Sequence, residues 1–510
     1  MPLASYVFLL VFLPATLVGY YVSVARLGPR AGQAWLCGAS LGFCVYAGPA
    51  SLIVLCLSSV MTFGISRALV RRHAAQAHTG AWLALGVCAN VAALAYFKYA
   101  GFLTENLSAL LGSDLRIAAG ALPLGISFIT FQQIAYLVEA ARGATARDAW
   151  LDYAFFISFF PKLIAGPLAD PMSLTDQLRA PGVGRYETSH LAVGLTLIGA
   201  GLFKKVMIAD ELGECADPVF AAAASGAAVP ALAAWLGSSA YMLQIYFDFS
   251  GYSEMALGAA RCFGLRLPLN FDSPYQATNI GDFWRRWHMT LNVFLTRYLY
   301  TPMATPIMRW CVRRNLGRAT LFLLTIAIPT TATFTIAGLW HGPAWTFVIF
   351  GLLHGLYLSS REGWRQLRRA WFGKVAPLRG GGLGAWALTM LGVLISLIFF
   401  RAGSVSEALA LLAAMCGLGA GAELPVGTEL VERRDMLLIA IAAGIAFLAP
   451  NIVQLLRAQS PALQHTRGDP PIGTRWAWRP SSALALAAVA IWVVSLAALG
   501  EVSAFIYYRF

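Results

Sequence analysis

Apolar residues fall along this chain in long, uninterrupted runs: 4–25, 34–48, 50–66, 80–97, 189–203, 228–247, 319–338, 343–360, 384–400, 436–450 and 481–499. Each approaches the roughly 20 residues needed to cross a bilayer as a helix. Two further apolar stretches, 120–138 and 151–168, are broken by Pro123, Pro161 and Pro167. The pattern predicts about 11 to 13 membrane segments, some re-entrant or tilted. No segment alternates with a period of two, which argues against a membrane β-barrel. The expected fold is therefore an all-α polytopic membrane protein, one integral domain over residues 1–510. The longest polar connections, 169–188, 361–382 and 457–480, are too short for independent cores. The first run lacks a basic leader and an A-x-A cleavage site, and reads as a retained anchor.

Composition agrees: 58% of the residues are hydrophobic and 12% charged, against about 25% charged in soluble domains. The net charge of +13 is concentrated beside the spans. Arg26 and Arg30 follow the first run, and Arg67, Arg71 and Arg72 the third. Excess Lys and Arg marks cytoplasmic loops, so alternation from an outside N-terminus is self-consistent. This also accounts for the basic clusters without nucleic-acid binding. The eight cysteines form no C-x-x-C pair and mostly lie in apolar runs, as small hydrophobes rather than a disulfide framework or metal site. There is no phosphate-binding glycine loop and no G-x-S-x-G elbow.

One charge-free stretch stands apart. Residues 319–360 contain no Asp, Glu, Lys or Arg, yet hold His341 in "AGLWHGPAW". Arg309, Arg313, Arg314 and Arg318 precede it; Arg361, Arg365, Arg368, Arg369, Lys374 and Arg379 follow it. With both clusters cytoplasmic, the stretch enters the membrane and returns, placing His341 on the far turn or inside. A polar group there is either functional or a structural histidine bonded to a neighbouring carbonyl. Neutral imidazole is a competent general base for a hydroxyl. Gly338, Gly342 and Pro343 predict an interrupted helix, whose free N–H groups can stabilise an oxyanion. Together these features suit acyl transfer. His354, in "GLLHGLY", is either a packing residue or a direct participant; His73, His78 and His465 read as solvated, and His190 opens a span.

The other informative stretch is "NFDSPYQATNIGDFWRRWHMTLNVFLTRYLY", 270–300. Asp282 is a candidate cap for a helix starting near Phe283 and carrying Trp284, Arg285, Arg286, Trp287 and His288. Trp284 and His288 would then share a face. Trp and Arg here also suit an interfacial anchor.

Six blocks in order resemble the membrane-bound O-acyltransferase family: "LPLGISFITFQ" (122–132), "FFPKLIAGPL" (159–168), "GLFKKVMIAD" (201–210), "LQIYFDFSGYSEMALG" (243–258), "NFDSPY" with "DFWRRWH" (270–288), and "GLWHG" (338–342). The chain most resembles the bacterial alginate O-acetyltransferase branch and is more distantly similar to the D-alanyl transferase of teichoic acid modification. The resemblance implies a pore-shaped helical core over 120–360, more divergent helices over 380–510, and a bacterial inner-membrane location. It implies His341 as catalytic histidine, with Trp340 beside it, and His288 as a second active-site histidine met from the opposite side. Arg285, Arg286, Trp287 and His354 are further site candidates. Gln244, Tyr246, Asp248, Ser250 and Tyr252 lie on an implied core-lining helix. An intramembrane Asp needs a partner, and Arg285 or Arg286 is the expected one for Asp248.

The implied donor is a cytoplasmic acyl thioester, acetyl-CoA, with no bound cofactor and no metal. The implied acceptor is a hydroxyl of an exported polysaccharide, reached directly or through an extracytoplasmic partner enzyme. Transfer from a carrier protein is the alternative within the family; a non-catalytic transporter is the alternative outside it, although no inverted repeat is visible. The family's R-D-Y-L-Y-I-P-L-G-G is here "TRYLYTPMAT", with Thr296 and Arg297 replacing the Arg-Asp pair and Ala304 and Thr305 replacing two glycines. That departure bears on acceptor and partner rather than on reaction class.

Overall fold

In a computed structural model of the chain, the apolar runs become α-helices, and no β-strand occurs among the described residues. The structure describes all residues except 1, 47, 114–119, 121, 374–381, 420–429, 464–477, 479–480, 501–505 and 507–510. Lys374, Arg379 and His465 lie outside the described residues. The principal helices are α1 (Val7–Leu27), α2 (Pro29–Tyr46), α3 (Pro49–Ala74), α4 (Gly80–Leu111), α5 (Ile126–Ala141), α6 (Trp150–Ser158), α7 (Pro171–Arg179), α8 (Thr188–Ala224) and α9 (Ala231–Cys262). They continue with α10 (Ile280–Trp284), α11 (Met289–Leu295), α12 (Thr301–Arg313), α13 (Arg318–His341), α14 (Trp345–Phe372), α15 (Leu383–Arg401), α16 (Val405–Met415), α17 (Arg433–Leu448) and α18 (Ser482–Ala497). Six of these, α1, α3, α4, α8, α13 and α15, are long and apolar enough to cross a membrane, and α5, α16 and α18 are shorter apolar helices. The chain is an all-α, multi-pass membrane protein.

Several helices outrun the apolar runs that announced them. The run 80–97 continues to Leu111, 189–203 to Ala224, and 228–247 to Cys262. Lys98 in the first, Lys205 in the second and Asp248 in the third each find partners in the fold, so helix length is not limited by apolar length. The Pro-broken stretches resolve differently. One yields α5, which starts after Pro123; the other stops at Ser158, followed by the single turn Phe160–Leu163.

α9 is the axis of the bundle. Every residue from 240 to 262 on it is buried. α8 lies against it through facing glycines. A Cβ added at Gly201 would stand 2.4 Å from the carbonyl oxygen of Gly251, and one at Gly258 would stand 2.5 Å from that of Gly194. Such backbone contact is how small residues join membrane helices. α13 and α14 form the antiparallel hairpin expected from the charge pattern. Gly351 faces Phe334, where a Cβ would come 2.1 Å from the carbonyl oxygen. Thr331 and Ser359 pair at 3.4 Å along the hairpin, and His341 sits at its turn.

The arginines after the first spans converge at one end of the bundle. Arg30 bonds Asp152 at 2.5 Å, Arg179 bonds Asp148 at 2.7 Å and Asp152 at 3.2 Å, and Arg67 donates to the Asp148 carbonyl at 3.2 Å. α2, α3, α6 and α7 are thereby tied together at the end that the Lys and Arg pattern assigns to one side.

Candidate functional site

His341 is the last residue of α13. Gly342 then takes an extended backbone (φ −160°), and Ala344 starts the turn into α14. A helix end leaves its last carbonyls without intrahelical donors. Here a neighbouring helix supplies them. Lys98 Nζ donates to the carbonyls of Trp340 (2.7 Å) and His341 (2.9 Å), and Tyr99 Oη donates to that of Leu339 (3.0 Å). Both donors sit in a one-turn π widening of α4, Ala95–Tyr99; such widenings recur at functional sites. A cation at a helix C-terminus is also favoured by the helix dipole. The His341 ring is buried, facing Phe400 (centroids 5.2 Å apart) and Phe350 (6.0 Å). Trp340 stacks on Phe131 (4.7 Å), which stacks on Phe294 (4.3 Å).

His288 does not continue a helix. α10 ends at Trp284, and His288 sits at φ 42° in the left-handed region before α11. That conformation is sterically costly for a residue with a Cβ. The cause is the 270–272 segment. The Met289 N–H, which a continuing helix would direct back to residue 285, donates instead to the Asn270 carbonyl (2.9 Å), while the Arg286 carbonyl accepts from the Asp272 N–H (2.9 Å). The expected shared face of Trp284 and His288 is therefore absent. The cap also differs: Asn279 caps α10 by accepting from the Asp282 N–H (2.9 Å), and Asp282 lies in the first turn.

Asn270 also sets the state of the His288 ring. Its Oδ1 accepts from the Thr290 N–H (3.4 Å) and hydroxyl (3.0 Å) and lies 3.0 Å from His288 Nδ1. A backbone N–H can only donate, so the oxygen of Asn270 must face this cluster, and Nδ1 carries the proton. In the neutral ring the basic lone pair then resides on Nε2. The two implied histidines arise from different elements, His341 at the end of α13 and His288 in the turn before α11.

The other expected residues divide. Trp284, Trp287 and His354 line, with His341 and Phe400, a pocket of about 10 Å³. That is about room for one water, so larger groups need its side chains to part. His354 is engaged at both nitrogens. Trp284 Nε1 donates to its Nδ1 (3.1 Å), and its Nε2 donates to Ser396 Oγ (2.9 Å), whose own proton goes to the Val393 carbonyl. It ties α10, α14 and α15 together.

On α9, Tyr246 reaches the site through Trp287 (6.4 Å), and Phe249 packs against His288 (4.8 Å). Gln244 instead lies against Gly213 of α8, and Ser250 and Tyr252 are buried in the bundle. The expected partner of Asp248 is corrected. Asp248 pairs with Lys205 (2.7 Å), which also bonds Asp210 (2.8 Å), and it accepts the Ile506 N–H (3.0 Å). Arg285 and Arg286 pair with Asp282 at 3.1 and 2.8 Å. A helix-face argument cannot see Lys205, because the π widening Lys204–Ala209 in α8 aims it.

Lys98, Tyr99, Asn270 and Thr290 were not singled out from the sequence. Lys98 did carry a signal: it is the first charge after the run 80–97 and lies inside a helix that continues to Leu111. Arg297, which replaces an aspartate of the family pattern, is satisfied by Glu139 (2.8 Å) and Asp170 (2.5 Å).

A sequence profile described as "MBOAT, membrane-bound O-acyltransferase family" matches residues 83–403, more than half of the chain. The chain belongs to the membrane-bound O-acyltransferase family. Curated proteins are similar to it over most or about half of its length. The peptidoglycan O-acetyltransferase of Helicobacter pylori is 36% identical over 440 residues, 81% of this chain and 79% of that protein. The probable alginate O-acetylase AlgI of Pseudomonas aeruginosa is 36% identical over 430 residues, 82% of this chain and 75% of that protein. The teichoic acid D-alanyltransferase of Streptococcus thermophilus is 26% identical over 247 residues, 48% of this chain and 58% of that protein. This membrane-bound O-acyltransferase thus has His341 at an interrupted helix and His288 at a left-handed turn, both inside the matched region.

Proposed function

We propose that the enzyme moves an acetyl group from a cytoplasmic thioester, acetyl-CoA, to a hydroxyl of an exported cell-envelope polysaccharide, directly or through an extracytoplasmic partner enzyme. The observation that carries this reading is the placement of His341 at the interrupted end of α13, held by Lys98 and Tyr99. In this reading His341 takes the proton of the acceptor hydroxyl as its oxygen attacks the thioester carbonyl. The C–S bond then breaks, an ester C–O bond has formed, and the departing thiolate receives the proton from the imidazolium. His288, with its tautomer set by Asn270, orients a reacting group through Nε2. The acceptor class follows that of the similar peptidoglycan O-acetyltransferase of H. pylori and probable alginate O-acetylase of P. aeruginosa. Similarity to the teichoic acid D-alanyltransferase supports a carrier-bound donor as the second reading.

The basic end of the bundle faces the cytoplasm of the bacterial inner membrane in this reading. Mass spectrometry of envelope glycans from cells with and without the gene is the test. Loss of O-acetyl groups from one polysaccharide, restored by the wild-type gene but not by His341→Ala, is the expected result. Unchanged O-acetylation in the absence of the gene would overturn the acceptor class.

A further inference from the structure

A buried lysine behind α5 has no role in the chemistry described so far. Lys162, on the turn Phe160–Leu163, is fully buried. Among the described residues it has no carboxylate partner; its ammonium lies 4.3 Å from the Phe156 ring centroid and donates to Gln132 Oε1. A polar nitrogen in such a place is costly and points to a functional role. Because Lys162 Nζ donates to it, Gln132 turns its carbonyl oxygen to Lys162 and its amide N–H group the other way. That Nε2 is buried and has no hydrogen-bond partner among the described residues. Gln132 lines a cleft of about 40 Å³ with Asp170, Thr290, Phe294, Arg297 and Tyr298.

The cleft leads toward both histidines. Thr290 donates to the Asn270 oxygen that holds His288, and Phe294 stacks through Phe131 on Trp340, next to His341. At its other end Arg297 is neutralised by Glu139 and Asp170, so the mouth is not an anion site. The group sought by Gln132 is thus a neutral acceptor, a carbonyl, and bonding to Lys162 strengthens the amide as a donor.

We propose that Gln132, oriented by Lys162, seats a carbonyl oxygen of the pantetheine arm of the acyl donor in this cleft. The proposal rests on the thioester-donor reading above. A pantetheine arm is narrow and carries two amide carbonyls before its thioester, and it occurs both in coenzyme A and on carrier proteins. A single carbonyl fits the present volume, and a whole arm requires the lining side chains to part.

The test uses the full chain in nanodiscs of phosphatidylethanolamine and phosphatidylglycerol. Two probes are titrated: a non-transferable ketone analogue of acetyl-CoA, and a carrier protein bearing the same arm. The probe that binds wild type identifies the source of the arm. Gln132→Met and Gln132→Glu should each weaken that probe about tenfold, the loss of one strengthened hydrogen bond, and Lys162→Met should weaken it severalfold. Gln132→Glu keeps an acceptor for Lys162 and carries the test should Gln132→Met fail to fold. Wild-type affinity in either folded Gln132 variant would overturn the seat while leaving the thioester reading intact. Failure of both probes to bind wild type would overturn that reading and the seat with it.

Discussion

Replacing Lys98 by Met tests whether the C-terminus of α13 is held for catalysis. The substitution keeps an apolar stem of similar length and deletes two charge-assisted bonds, to the carbonyls of Trp340 and His341. Such bonds contribute about 1.5–3 kcal/mol each. Lys98 is only partly buried and one ammonium serves both carbonyls, so about 3 kcal/mol for the pair is a reasonable total. Tyr99 still holds Leu339, so the helix end should loosen rather than unravel. If half of that energy appears as misplacement of His341, kcat falls about tenfold, at roughly 1.4 kcal/mol per decade. The apparent KM for the donor should move less than twofold, because Lys98 bonds backbone and not the proposed donor cleft. The assay is transfer of labelled acetyl from acetyl-CoA to the envelope acceptor in one membrane preparation, normalised to folded protein by tryptophan-monitored melting. Lys98→Arg, which retains donors, should recover most of the rate. A Met variant with wild-type kcat, or an Arg variant no better than Met, would refute a positioning role.

Three further outcomes follow from the same geometry. His341→Asn and His341→Gln should retain almost no transfer, because an amide donates hydrogen bonds but is no base at neutral pH, whereas His288→Asn and His288→Gln should keep measurable activity; equal loss at both positions in one assay would show that the histidines act as a unit. Lys205→Met alone strands Asp248 in the bundle and should destabilise by roughly 3–5 kcal/mol, while Lys205→Met with Asp248→Leu should recover much of that in thermal melts in detergent; additive losses would contradict the pairing. Cysteines placed at Arg71 and Arg368 should react with an impermeant maleimide only after the cytoplasmic side is exposed, and labelling of either in intact cells would invert the orientation used above.

The hydropathy of the chain determined that it is a helical membrane protein, because unpaired backbone groups in lipid leave few alternatives to helices. The same reasoning located the hairpin around His341: charges are excluded between Arg318 and Arg361, and Gly342 and Pro343 end regular structure. Tertiary contacts decided the rest. Whether 282–288 forms one helix depended on Asn270 and Asp272, which take the backbone bonds a helix would have used. The partner of Asp248 is Lys205, 43 positions earlier, delivered by a widened turn of another helix. The end of α13 is closed by Lys98 and Tyr99 from α4, about 240 residues away. Inside a membrane bundle a buried polar group without a partner is costly. Composition announces that need, but only the packing of distant helices determines which residue meets it.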